Sequence, residues 1–193
     1  MYDSKYTHIK ILVTKRTILR PIMIEDAQDL FEYYSNGKVL KYIPIKTHKN
    51  IQETKKFIST YFIDNYNKKK YSHYAIVYKN NKKVIGNIGF NNISPNSSEG
   101  EIGICINPNY WGLNLSTELL GTILKYGFYD LNLNKIYAVV YDDNKYSKSP
   151  LLKYNFEFSH EFTKRFASLN NKHIKCQKYS LSREIYLNKN NKG

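Results

Sequence analysis

The sequence predicts an α/β (α+β) fold: a mixed, mostly antiparallel central sheet of six to seven strands carrying about four helices. Three observations lead there. Apolar segments rich in β-branched and aromatic residues recur along the chain at strand length. Longer stretches with apolar residues three and four apart separate some of them. One such helical stretch joins the strand at residues 99–106 to the strand at 135–141, so those two should be parallel with a right-handed crossover. At 193 residues, 41% of them hydrophobic, the chain can build one domain with a substantial core.

Taken in order, residues 1–15 are polar and lysine-rich with one apolar patch at 9–13, and read as an N-terminal arm or edge segment. Residues 16–186 form the domain. Within it, TILRPI at 17–22 alternates toward a strand and stops at Pro21. A helix follows from Ile24: Glu25 and Asp26 suit its N-terminus, Ala27, Leu30, Phe31 and Tyr34 share a face, and Asn36-Gly37 ends it. A second helix starts at Asn50, whose side chain can cap while Glu53 reaches back, and continues through Phe57, Ile58, Tyr61 and Phe62. Strands at 72–78 and 84–91, separated by KNNKK, make an antiparallel hairpin. The helix after the strand at 99–106 buries Leu115, Leu119, Ile123 and Tyr126, and its Gly121 and Gly127 imply close packing against the sheet. Two last strands, 156–162 and about 174–185, pair around residues 169–172. Residues 187–193 read as a polar C-terminal tail.

Thirty Lys and Arg against 16 Asp and Glu give a formal charge of +14. The charge is dispersed over lysines among asparagines and tyrosines, which reads first as solvated surface and second as an affinity for polyanions. No apolar run reaches the ~20 residues of a membrane span, and the N-terminal greasy stretch is too short for a secretory signal, so a cytoplasmic, membrane-free protein is expected. Cys105 and Cys176 lie among apolar strand residues and read as buried thiols. The five histidines show no ligand spacing with cysteines or acids, so no metal site is expected.

The chemistry concentrates in EIGICINPNYWGLNLSTELL, from Glu101: a strand, a tight polar loop, and a helix start. Unpaired N–H groups of Gly112, Leu113, Asn114, Leu115, Ser116 and Thr117 converge there with the positive end of the helix dipole, which makes an anion site suited to phosphate.

The segment resembles the EIGYWLxPxYWGxGxAT block of the GNAT superfamily, in particular its RimJ/RimL ribosomal-protein N-terminal acetyltransferase branch. Asn114 stands where the family has a second glycine, and Ser116 where it has alanine. Asparagine tolerates a left-handed backbone best among non-glycine residues. A second block, DDNKYSKSPLLKYNFEF, resembles the family's N-x-x-S-x-x-x-L-x-K-x-GF signature through Asn144, Ser147, Leu151 and Lys153, with Asn155 for its glycine. The resemblance implies a GNAT fold whose two central parallel strands splay apart. It implies acetyl-coenzyme A as cofactor, with pantetheine along Ile104, Cys105 and Ile106, pyrophosphate on residues 112–117, and Asn144 on the pantetheine amide.

Acetyl transfer from a thioester to an amine needs a polarised carbonyl, an unprotonated amine, a stabilised tetrahedral intermediate and a proton for the leaving thiolate. A free strand N–H from Ile104, Cys105 or Ile106 answers the first need. Glu101 is the first candidate for the base, with His160, Glu161 or a water as alternatives. The resemblance implies Ser147 as the acid: Leu151 occupies the position where many family members carry tyrosine, and the RimL-like branch, which this chain resembles, offers a serine instead.

The implied partner is an amine, with a protein or peptide N-terminus first and a ribosomal protein among the candidates; a homodimer is one assembly consistent with the family. The alternatives are a small-amine acetyltransferase acting on a polyamine or amine drug, and a degenerate acyl-CoA-binding module. The segments expected to frame the acceptor are basic, with Lys46, Lys70, Lys164, Arg165 and Lys175.

Overall fold

In the computed structural model, which describes residues 6, 8–70, 73–94, 96 and 98–190, eight strands build one sheet. They are β1 (Leu12–Val13), β2 (Thr17–Pro21), β3 (His73–Tyr78), β4 (Val84–Ser94), β5 (Glu99–Ile106), β6 (Lys135–Tyr141), β7 (Glu157–Phe166) and β8 (Lys172–Ser182). Their order across the sheet is β1-β2-β3-β4-β5-β6-β8-β7. Only β5 and β6 run parallel; every other neighbouring pair is antiparallel. The count exceeds the expected six to seven because the apolar patch of the N-terminal segment forms the short edge strand β1.

The helices are α1 (Ala27–Tyr34), α2 (Gly37–Leu40), α3 (Ile51–Phe57), α4 (Asp64–Asn67), α5 (Leu115–Lys125), α6 (Lys145–Lys153) and α7 (Arg183–Asn190). A π-helical segment, Ile58–Ile63, links α3 to α4, so these make one rod. Its start is capped as expected by Asn50 Oδ1, which accepts from the Glu53 N–H at 3.0 Å; the Glu53 carboxylate reaches one residue further back, to the Lys49 N–H. Around α1 the buried face is Ala27, Leu30, Tyr33 and Tyr34, so Tyr33 and not Phe31 goes inside. Asn36 caps the extra turn α2 instead of closing the helix. The chain also leaves β8 at Ser182 and turns helical, where the sequence pattern extends the strand to Ile185.

Two cores flank the sheet. On one face α5 packs Leu119, Ile123 and Leu124, with Phe128 beyond, against Ile88, Phe90, Ile102 and Ile136. Gly127 permits the approach, since a Cβ there would lie 2.7 Å from Ile136 and 2.9 Å from Phe90; Gly121 instead makes room for the Tyr154 hydroxyl. The other face carries Leu30, Tyr33, Tyr34, Ile58 and Phe62 over Ala75, Val77 and Cys105. Each such fully buried large side chain contributes about 1.5–3 kcal/mol. A buried bidentate pair, Arg20 to Asp26 at 2.7 Å, pins β2 to the start of α1.

The parallel pair is short. β5 and β6 are in register only from Glu99↔Lys135 to Ile102↔Ala138. Beyond that point β5 stays with β4 as far as Gly86↔Ile106, and β6 stays with β8 as far as Tyr141↔Cys176. The two central strands therefore part, and the β6-facing edge of residues 103–106 has no strand partner.

Candidate active site

Directly after that open edge the chain turns through Pro108–Tyr110 and enters the loop before α5. Gly112 has φ +78° with nothing within 4 Å of where a Cβ would stand, and Asn114 sits at φ 54°, ψ 28°, left-handed. Asparagine thus supplies the backbone shape that a second glycine would. Its Oδ1 accepts from the Thr117 hydroxyl at 2.9 Å. Leu115 begins α5 and is buried in the core, so of the loop residues it offers only its backbone. The loop's N–H groups face the positive end of an eleven-residue helix, and the space above Gly112 is open.

Sequence reasoning missed the residue that holds this loop. The Arg16 guanidinium donates to the Leu113 carbonyl at 2.8 Å and the Asn114 carbonyl at 3.4 Å, and to Glu118 Oε2 at 2.7 Å. Burial alone would raise the Glu118 pKa, but hydrogen bonds from Thr14 and Arg16 outweigh it and hold the carboxyl below its ordinary range. The only sequence signal is an arginine in a chain where lysine carries most of the positive charge.

On the open edge, Ile104 is 39% exposed, Ile106 is half-buried, and the Ile106 carbonyl accepts from the Trp111 indole N–H at 2.8 Å. Cys105 points the other way, into the core under Tyr33 and Tyr34, and burial pushes its thiol pKa far up. It has no nucleophile's environment.

Glu101, Gly103 and Cys105 alternate onto one face of β5. There Glu101 lies opposite Tyr137 of β6, and its Oε1 accepts from Asn91 Nδ2 at 2.9 Å. Burial first, then the Glu101 and Glu99 charges, raise the Tyr137 pKa. The Lys178 ammonium stands 4.1 Å over the Tyr137 ring. Past the end of β6, Asn144 caps α6: its Oδ1 accepts from the Ser147 N–H, and its Nδ2 donates to Ser147 Oγ at 2.8 Å. Tyr146 points to solvent, 86% exposed. The Asn144 side chain therefore meets Ser147 directly.

The other base candidates lie apart from Glu101. His160 and Glu161 sit on β7, the far edge of the sheet, three strand spacings or roughly 14 Å from β5. His160 pairs with Ser159, and Glu161 accepts from Gln177. Among the described residues no group of three or more His, Cys, Asp and Glu is arranged to hold a metal ion, and no helix is long and apolar enough to cross a membrane.

The model of the acetyltransferase (GNAT) domain family matches residues 16–157. A Bacillus subtilis (strain 168) protein named uncharacterized N-acetyltransferase YoaA is 35% identical over 147 residues, covering 76% of this chain and 82% of that protein. Among solved structures, a ribosomal L7/L12 alpha-N-protein acetyltransferase, RimL, superposes with a TM-score of 0.77 at 17% identity, over 90% of this chain and 98% of its own. A spermidine N-acetyltransferase from Vibrio cholerae, solved with CoA and spermine, superposes with a TM-score of 0.75 at 19% identity, over 89% and 98%. At these identities the two structures share the fold with this chain.

Proposed function

The chain belongs to the GNAT acetyltransferase family, and on that premise we propose that it acetylates a protein or peptide N-terminal α-amine by direct attack of the amine. It is an acyltransferase, and its acyl donor is acetyl-CoA. The β5 edge left open from Gly103 to Ile106, directly before a left-handed loop at a helix N-terminus, is the observation that supports this reading most.

Backbone N–H groups of Gly112 to Thr117 would hold the pyrophosphate, and Ile104 to Ile106 would hold the pantetheine by strand-like hydrogen bonds. Bound acetyl-CoA supplies an acetyl group activated as a thioester. Glu101 takes the proton of the attacking amine. A backbone N–H on the open edge aims at the carbonyl oxygen and stabilises the charge that develops there. Ser147 Oγ receives a hydrogen bond from Asn144, which leaves its own proton to be given to the departing sulfur.

The fold is shared with a RimL and with a spermidine acetyltransferase, so the acceptor must be argued from the rim. That rim is basic, which favours a peptide over a polycation. The degenerate-module reading loses its main support, because Asn114 and Asn155 both adopt the left-handed conformation a glycine would.

The test is thiol release from acetyl-CoA with a peptide panel, and mass spectrometry to locate the acetyl group. Acetyl on the α-amine of one or more peptides is the expected result. Coenzyme A that co-purifies without turnover of any amine would make the chain a binding module.

A further inference from the structure

Glu101 stands at the end of a hydrogen-bonded chain that crosses the sheet underneath it. The Tyr33 and Tyr34 hydroxyls donate to Asn87 Oδ1 at 3.1 and 2.9 Å. Asn87 Nδ2 lies 2.8 Å from His73 Nδ1, His73 Nε2 lies 2.8 Å from Asn91 Oδ1, and Asn91 Nδ2 donates to Glu101 Oε1 at 2.9 Å. The chemistry fixes every direction. An ionised carboxylate only accepts, so Asn91 turns its amide nitrogen to Glu101 and its oxygen to His73. The imidazole must then carry its proton on Nε2 and accept on Nδ1, where the Asn87 amide can only donate. Every donor in the chain points toward Glu101.

The surroundings maintain this state. His73 is 6% exposed, its carbonyl accepts from the buried Tyr66 hydroxyl, and burial holds its pKa down to about 4, so the ring is neutral at neutral pH. The ladder between β4 and β5 slips between Phe90 and Asn92, a bulge that re-aims Asn91. Room for Asn91 comes from Gly103, where a Cβ would stand 2.7 Å from Asn91 Oδ1. Glycine is needed at residue 103 for a side chain on the neighbouring strand.

We propose that His73 and Asn91 are positioning residues for Glu101: the His73 ring orients the Asn91 amide, and that amide aims the carboxylate at the incoming amine. This rests on the reading of Glu101 as the proton acceptor. The other ionisable groups facing Glu101 are Tyr137 from β6 and Tyr61 from the segment before α4, with Lys178 of β8 above the Tyr137 ring; Glu99 on the same strand is paired with Lys135.

The test is steady-state kinetics of the full chain with acetyl-CoA and its best peptide, read as kcat against KM. A misaimed carboxylate takes the amine proton less well once both substrates are bound, so Asn91→Leu and Gly103→Ala should each lower kcat on the order of tenfold with KM for acetyl-CoA unchanged. His73→Gln keeps a donor near the Nε2 position and should retain kcat, whereas His73→Leu should lower it. Glu101→Gln separates the two ideas. Loss of rate in Glu101→Gln with unchanged kcat in Asn91→Leu and Gly103→Ala overturns the relay alone; full rate in Glu101→Gln overturns the base assignment beneath it. Asn91 and residue 103 lie at the sheet surface, so those variants answer even where a His73 substitution fails to fold.

Discussion

Asn144 and Ser147 grip each other twice: the serine N–H donates to Asn144 Oδ1 at 3.3 Å, and Asn144 Nδ2 donates to Ser147 Oγ at 2.8 Å. The first contact is an ordinary N-cap, worth about 1 kcal/mol to α6. The second makes the Ser147 hydroxyl an acceptor of the Asn144 amide, so its own proton is not the one used in that contact.

If Ser147 is the proposed proton donor, Ser147→Ala should lower kcat by on the order of 10²-fold while the Kd for acetyl-CoA changes less than about threefold, because the lost group would act on the leaving thiolate and not on binding. Calorimetry for binding and steady-state thiol release for turnover check it. Full turnover in the variant would mean that solvent protonates the sulfur.

Acetyl-CoA should raise the melting temperature. A ligand at a hundred times its Kd adds about 2.7 kcal/mol, which for a chain of this size is ~5–10 °C. Gly112→Asp should remove the shift by adding bulk and negative charge beside the loop's N–H groups, whereas Gly112→Asn, which keeps the left-handed φ of +78° accessible and adds no charge, should keep part of it. An unchanged shift in Gly112→Asp would put the donor elsewhere.

The buried histidines set the acid side of the stability curve. Burial holds His73 at about 4 and also lowers His48, so between roughly pH 6.5 and 4 the unfolded chain binds protons that the folded one does not. Stability contributed by the neutral His73 ring is complete above about pH 6.5 and falls as pH drops toward 4, by up to ~1.4 kcal/mol per unit, with His48 acting in the same direction. Urea midpoints at pH 7.5, 6.0 and 5.0 should fall, and His73→Gln should flatten that fall. Parallel losses in both proteins would assign the acid sensitivity to other groups.

How much of this was legible beforehand follows from the range of each interaction. Strand β5 and the crossover to β6 were readable because apolar patterning and a helix between two strands are local signals. The left-handed Asn114 and Asn155 were readable for the same reason. Tyr33 in place of Phe31 was not, because both flank the Ala27, Leu30 and Tyr34 stripe of α1, one on each side, and the side that faces the sheet is set by packing across the core, where the Tyr33 hydroxyl meets Asn87. Likewise Arg16 is 98 residues from Asn114, and His73 reaches Glu101 through a bulge that no pattern in β4 announces. Glu101 is a candidate that strand alternation and resemblance single out, and the Asn91 and His73 contacts behind it are invisible to any one-dimensional reading.

On the proposed reading, the charge around Glu101 selects the acceptor. The loop after α2 and the β7–β8 hairpin meet where the Ser168 hydroxyl donates to the Pro44 carbonyl at 2.6 Å, and these two segments carry Lys46, Lys164, Arg165 and Lys175. The nearest acids on that side are already engaged: Asp142 and Glu161 share the Gln177 amide, and Asp143 faces Lys41 at 3.5 Å. Glu101 accepts from Asn91 and faces Tyr137, and Lys178 over the Tyr137 ring adds a positive charge on that side. A polyamine arrives with several ammonium groups and would meet repulsion at every step but one. A peptide brings one amine, which Glu101 can receive, and backbone amides or acidic side chains, which the lysines can hold. Uncharged or acidic peptides beginning with Ala, Ser or Met should therefore be acetylated with a kcat/KM on the order of tenfold above that for spermidine at low salt, and added salt should erode the advantage of the acidic ones first. A competition assay read by mass spectrometry in low salt decides it: preferential acetylation of spermidine would move this chain to the polyamine-acetylating branch.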